Sequence, residues 1–317
     1  MATSGSTDIN ATQLDIINGA FRLLGLVGVG ETRSPEEIDN ASSALNLLLK
    51  ELQADNIGLW LDRTVTLFLG KGTQSYTIGP SGNHATLTPL DTELSADIAS
   101  DETDITVDAI TGFSDGDYIG VELDNGEMQW TTINGTPSGS TIVLTDALTD
   151  DAAENNTVVG YTTKSLRPLE IKNIRLRKSS TSEIPMEMVS QNEYMLVTNK
   201  TSEGSPSIAY YDPQLTNGVL YIWPTTSTVD SRIVFTAKYP IEIFDDWTDS
   251  PDFPEEWLMT LRYCLAETLA LEYPDDTIDE KRLQKIIYGA LTRRDKLRRY
   301  DTENTSIIFA PDIAGYY

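Results

Sequence analysis

The apolar residues of this 317-residue chain change their period twice, and that change sets the fold class. From Gln13 to Leu24 they recur three and four apart, at Ile17, Ala20, Phe21 and Leu24. From Pro35 to about Asn56 they do so again, at Ile38, Ala41, Leu45, Leu48 and Leu52. Such spacing lines one face of a helix. From Thr64 the period falls to two, through Val65, Leu67 and Leu69, which sends alternate side chains to one face of a strand. The helical period returns at Pro254, through Trp257, Leu261, Cys264, Leu265 and Leu269. It appears once more from about Asp276 to Tyr300, through Leu283, Ile286, Ile287, Ala290 and Leu297. The expectation is an α+β fold in which a bundle of N- and C-terminal helices packs with a β-rich layer.

Local signals sharpen the boundaries. Ser34, Pro35 and Glu37 form a capping box with proline at the first helical position. Lys71-Gly72 reads as a turn joining Val65–Leu69 and Tyr76–Ile78 into a hairpin. From Ala85 to Ser165 the composition shifts to sixteen Asp/Glu against one Lys, with turns at Asp115-Gly116 and Asn125-Gly126 between short strands. The strands are expected at Ile105–Val107, Tyr118–Leu123, Met128–Ile133, Thr141–Leu144 and Thr157–Tyr161. The segment is expected to be a small inserted β-barrel or sandwich, and insertion requires its two ends to lie close together. Host strands then resume at Pro185–Val189, Ser207–Tyr211, Gly218–Trp223 and Arg232–Tyr239. The predicted division is a discontinuous helical and β core over 1–84 and 166–300, an inserted domain over 85–165, and an extended tail over 301–317.

The ionisable side chains exclude much chemistry. Cys264 is the only cysteine and His84 the only histidine. One cysteine permits no internal disulfide and no thiolate metal cage. One histidine, read as a loop surface side chain beside Gly82 and Asn83, leaves no ordinary base for a Ser or Cys nucleophile and no H-E-x-x-H zinc site. No cofactor is predicted. No apolar run is long enough to span a membrane, and the N-terminal segment lacks a signal-peptide pattern, so a soluble chain made in a reducing cytoplasm is expected. A net charge of −26 opposes long-range attraction to nucleic acid and anionic lipid, and suits a wall past which DNA slides without adhering.

Several motifs invite a functional reading that a plainer one outweighs. Gly25-x-x-Gly28-x-Gly30 follows a helix, the reverse of the strand-to-helix order of a dinucleotide loop, and reads as a helix-to-helix turn. Asp115-Gly116-Asp117 and Asp124-Asn125-Gly126 do not continue into a twelve-residue calcium loop and read as tight turns. Glu255 and Glu256 complement a helix dipole. Cys264 sits among apolar neighbours as a packing thiol.

Two features exceed the plain reading. The last helix holds Lys281, Arg282, Lys285, Arg293, Arg294, Lys296, Arg298 and Arg299 in an otherwise acidic protein. The helix dipole accounts for roughly three of these cations, and the remainder point to an acidic protein surface or a phosphate backbone. The tail carries Ile307, Ile308, Phe309, Ile313, Tyr316 and Tyr317 without helical period. Ordering such a segment costs roughly 1–2 kcal/mol of backbone entropy per residue. A partner supplying apolar pockets and backbone hydrogen bonds, as in strand addition, is therefore expected.

The order of short motifs along the chain also carries a resemblance. Asp15-Ile16-Ile17, Arg22-Leu23-Leu24-Gly25, Leu45-Asn46-Leu47-Leu48 and Gly58-Leu59-Trp60 occupy the first helices. Gly204-Ser205-Pro206, Tyr210-Tyr211, Leu220-Tyr221-Ile222-Trp223-Pro224, Tyr239-Pro240 and Phe253-Pro254-Glu255-Glu256-Trp257 follow, before Leu265-Ala266-Glu267-Thr268-Leu269-Ala270. This succession, over about two thirds of the chain, resembles the head-to-tail adaptors of short-tailed bacteriophages, also called tail accessory factors or packaged-DNA stabilisation proteins. Compact members lack the 85–165 insertion. The resemblance implies a non-enzymatic virion protein of the neck or tail, made in the bacterial cytoplasm and joining the head after packaging. It implies a homo-oligomeric ring of twelve copies beneath the portal protein, extending the DNA channel, retaining packaged DNA and presenting a docking surface to the tail hub or nozzle, with tail spikes or fibres as further candidates. By position it makes Arg293, Arg294, Arg298 and Arg299, with Ile307, Ile308, Phe309, Ile313, Tyr316 and Tyr317, the portal-binding element.

Two other readings stand beside it. A tail-associated cell-wall glycosidase needs only a carboxylate pair, and Glu255, Glu256 and Glu267 are candidates among 49 acidic residues. A DNA-contacting gatekeeper would use the basic helix.

Overall fold

A computed structural model describes residues 11–28, 30–54, 61–179, 182–251, 253–273 and 278–300. The chain is α+β and divides into two compact units, residues 1–60 with 241–317, and residues 61–240.

Among its described residues the first unit holds four helices: α1 (Gln13–Leu24), α2 (Pro35–Ala54), α4 (Trp257–Ala270) and α5 (Glu280–Tyr300). Thr12 opens α1 with a capping box to Asp15, and Gly25 closes it at φ 78°, a left-handed conformation suited to glycine. The Ser34/Glu37 box forms as expected, with Ser34 N–H and Oγ donating to Glu37 Oε2 at 3.2 and 2.9 Å. Helix α4 packs against α1, α2 and α5. Ile16, Ile17, Phe21, Leu45, Leu49, Leu261 and Leu265 are buried, and Trp257 is the largest fully enclosed side chain. The chain returning from the other unit is tied to α2. Asn46 both donates to the Phe244 carbonyl and accepts from its N–H, and Lys50 Nζ donates to the Ile241 carbonyl at 2.5 Å.

Every strand among the described residues belongs to the second unit. Its host layer is built from β1 (Asp62–Phe68), β2 (Ser75–Ile78), β3 (Ala85–Thr86), β10 (Glu170–Ser179), β11 (Ser182–Pro185), β12 (Glu187–Met188), β13 (Ile208–Asp212), β14 (Gly218–Trp223) and β15 (Arg232–Lys238). A five-stranded sheet runs β11-β10-β15-β1-β3 and a four-stranded one β12-β13-β14-β2. Their inner faces share one core, with Val65, Leu67, Leu176 and Phe235 from the first meeting Tyr76, Leu220 and Ile222 from the second. A short helix α3 (Gln191–Met195), capped by Ser190 and Glu193, lays Tyr194 against the second sheet. The predicted hairpin does not form. β1 pairs with β15 and β3, whereas β2 pairs with β14, so the Lys71-Gly72 turn passes the chain from one sheet to the other. The period-two pattern fixes which face is buried but not which strand is the neighbour.

The acidic segment forms a smaller sandwich. One sheet runs β4 (Leu90–Glu93), β9 (Thr157–Tyr161), β6 (Tyr118–Glu122) and β7 (Met128–Thr132), and β5 (Asp104–Thr106) pairs with β8 (Thr141–Val143). Ile105, Val107, Ile119, Val121, Ile142, Leu144 and Val158 fill its core. Ser165 N–H donates to the Ala85 carbonyl at 2.7 Å, so the two ends of the segment meet. Ala85 and Thr86 themselves pair with β1 and belong to the host sheet.

Alternation along β1 sends Val65 and Leu67 into the host core and Phe68 to the opposite face. There Phe68 packs with Val159 and Tyr161, which joins the sandwich to the host sheet. His84, expected on the loop surface, is half-buried and completes this joint. Its ring stacks on Trp130 with centroids 3.6 Å apart and planes at 5°, and its Nδ1 lies 2.7 Å from the Tyr161 hydroxyl. The surrounding sequence, Gly82-Asn83-His84, is polar and loop-like, so local composition concealed a position covered by strands remote in the chain.

Candidate partner-binding surface

Helix α5 carries the predicted site, and its buried side is formed by Ile286, Gly289, Ala290 and Leu297. Gly289 is required by close packing, because a Cβ there would stand 2.6 Å from the Tyr263 ring of α4. Arg293 lies over that ring with its guanidinium carbon 3.8 Å from the centroid, a cation–π contact, and Nη1 donates to the Gly289 carbonyl. Arg294 turns towards α4, where Nε donates to Cys264 Sγ at 3.2 Å and Nη2 meets Glu267 Oε2 at 3.3 Å. Arg282 packs at the end of α1, where a Cβ on Gly25 would overlap its guanidinium. Arg282, Arg293 and Arg294 therefore have structural work within the helical unit.

The remainder differ in character. Arg298 and Arg299 are exposed at the last turn, where they complement the helix dipole. Lys281, Lys285 and Lys296 are exposed, and no hydrogen bond or ion pair ties them among the described residues. Ile287, expected on the buried side, is 43% exposed, and Tyr288 and Leu291 beside it are 72% and 60% exposed. The 3.6-residue period placed Ile287 one step beyond the edge of the stripe that α4 covers. The tail residues Ile307, Ile308, Phe309, Ile313, Tyr316 and Tyr317 lie outside the described residues.

The other candidates resolve into structure. Gly25 is the C-cap of α1. Asp117 is buried and accepts from Ser114 N–H at 2.8 Å, while Asp115 accepts from Gly135 N–H at 2.7 Å, both closing turns. Asp124 accepts from Ala153 N–H and the Asn156 amide. Among the described residues no three His, Cys, Asp or Glu side chains converge as metal ligands. Cys264 is fully buried, which pushes its thiol up from the ordinary value against the opposing pull of Arg294. Glu267 is held by Arg294. Glu256 occupies the N-cap position of α4 without a side-chain cap bond.

Sequence reasoning missed one polar cleft, of about 780 Å³, in the second unit. Asp91, Glu93 and Asp108 of the acidic sandwich face Arg177, Lys178 and Arg232 of the host sheet across it. One ion pair, Arg232 with Asp91, closes part of it, and the Arg232 guanidinium rests over Phe68. Its walls come from segments about 140 residues apart, which no local pattern signals.

The sequence matches no family profile and no curated protein. Among solved structures the chain is similar to the Gp54 tailspike of Acinetobacter baumannii bacteriophage AP22, solved in complex with A. baumannii capsular saccharide. The identity is 16%, over 25% of this chain and 16% of that chain, with a TM-score of 0.22. The chain thus matches about a sixth of the tailspike's length. No described helix is long and apolar enough to cross a membrane.

Proposed function

We propose that the protein is a non-enzymatic head-to-tail adaptor of a short-tailed bacteriophage. In this reading twelve copies form a ring beneath the portal protein, extend its DNA channel, retain the packaged genome and offer the tail a docking surface. The observation that carries the reading is α5. Helix α5 is anchored to α4 from Ile286 to Leu297, ends in exposed Arg298 and Arg299 and leads in sequence into the segment 301–317 with its six large apolar side chains. A fixed helix with a basic tip and an apolar extension fits the capture of an acidic protein groove, with charge orienting the encounter and apolar burial holding it. The ordered succession of adaptor-like motifs supports the same assignment. The chain's net charge of −26 fits a channel wall that DNA passes without adhering.

The test is attachment to purified portal rings by full-length protein and by protein ending at Tyr300. Full-length protein is expected to co-sediment with the rings and the truncated form to stay in solution with its fold unchanged. Equal binding by both would refute the assignment of the tail.

A further inference from the structure

The exposed face of α5 points to a partner other than the one its tip and tail reach. At 3.6 residues per turn, Tyr288, Lys281, Lys285 and Lys296 project within about 80° of one another, roughly opposite Ile286, Ala290 and Leu297. Ile287 and Leu291 border this face, so an apolar strip runs beside a row of lysines. Ile287, Tyr288 and Leu291, 43%, 72% and 60% exposed, together leave an apolar patch of a few hundred Å² uncovered. The largest patch on a monomer is commonly on the order of 300–600 Å² and is often functional.

A surface of matching size and opposite charge lies on the same helical unit. A groove of about 490 Å³ runs between α2 and α4, lined by Asn40, Ser43, Leu47, Glu51, Thr268 and Glu272 among others; no cation is among its described lining residues, and the nearby Arg294 offsets part of the Glu51 charge. Leu47 is 73% exposed, and Leu271, beside Glu272, is 85% exposed. Leu47 in the groove wall and Leu271 at its edge thus leave apolar surface open beside the carboxylates. Lys50, the nearest base in α2, is turned away to the Ile241 carbonyl. Each feature alone is an uncovered face; each supplies what the other lacks.

We propose that the lysine-edged face of α5 in one copy of the chain docks on the acidic α2–α4 groove of the next copy. Two chains of charge −26 repel at long range. They associate only where charge is segregated, and α5, with eight cations against Glu280 and Asp295, is the site of that segregation. The two faces share no residue, so the contact is head to tail and repeats around a ring. This inference deepens the adaptor reading by naming what covers the side of α5, and it leaves the tip and tail to the portal.

The experiment is sedimentation velocity of the full chain, without portal, over a hundredfold range of concentration. Variants are Lys281→Glu with Lys285→Glu on α5, and Glu51→Lys with Glu272→Lys in the groove. Wild type is expected to associate as concentration rises, and each double variant alone to stay monomeric with an unchanged circular dichroism spectrum. Mixing the two variants is expected to restore association, because each presents the charge the other has reversed. A wild type monomeric throughout, or variants that associate as well as wild type, would overturn the proposal, as would a mixture that stays monomeric. Portal binding by each variant is scored separately, so loss of self-association with retained attachment distinguishes this contact from the one made by the tail.

Discussion

Lowering the pH should loosen the joint between the acidic sandwich and its host sheet, through His84. Burial against Trp130, helped by the nearby Lys164 charge, depresses the His84 pKa from 6.5 to about 4. The unfolded chain therefore takes up a proton as pH falls through 6.5, and the folded chain only near 4. Between these values the unfolded state binds more protons, so stability falls as pH falls. The contribution is whole above pH 6.5 and is lost towards pH 4. Between pH 7 and pH 5 the linkage amounts to about 2 kcal/mol for a wholly shielded ring, and to about 1 kcal/mol once partial solvent exposure is allowed for. The geometry gives the cause: Trp130, Tyr118 and Tyr161 surround the ring and its Nδ1 lies 2.7 Å from the Tyr161 hydroxyl, so the charged form loses most of its hydration. Since His84 is the only histidine, its imidazole proton resonance can be titrated without assignment ambiguity. Urea denaturation of wild type and His84→Gln at pH 7 and pH 5 then isolates the linkage from that of the many carboxylates. A titration midpoint near 6.5, or the same pH dependence in both proteins, would show that His84 is not the group that couples the joint to pH.

Other consequences are as direct. Leu261→Ala, at a fully buried position of α4, should destabilise the helical unit by about 2–5 kcal/mol, read as a lowered urea midpoint. Gly160→Ala places a Cβ 2.5 Å from the Phe113 ring and 3.0 Å from the Tyr118 carbonyl oxygen. It should destabilise the acidic sandwich by about 1–3 kcal/mol in the same assay. Cys264, buried and with its thiol pushed up, should react with a disulfide reagent at pH 8 far more slowly in native protein than in urea. Arg294→Ala, which removes the side chain covering its sulfur, should speed the native reaction.

The parts of this fold that were legible in the sequence are those fixed by neighbours along the chain. Helix α1 spans the predicted Gln13–Leu24, the Ser34/Glu37 box forms, and β9 coincides with the predicted Thr157–Tyr161. Strand β10 was not anticipated. Its sequence, Glu-Ile-Lys-Asn-Ile-Arg-Leu-Arg-Lys-Ser, carries charge on one face and a bulge near Asn173, which breaks strict alternation. Pairing between β1 and β15, some 170 residues apart, likewise leaves no local trace. The candidate surface was half legible. Sequence counted the cations of α5 but could not assign them, because Arg282, Arg293 and Arg294 are engaged by Gly25, Tyr263 and Glu267, and only packing separates these from the lysine row.

If these surfaces assemble the chain on a portal, electron cryomicroscopy of the full-length protein mixed with its portal ring will show it. A second ring of twelve copies is expected on the portal, with residues 301–317 traced into portal grooves and α5 of each copy against α2 and α4 of the next. Portal rings that stay bare at saturating protein would contradict it.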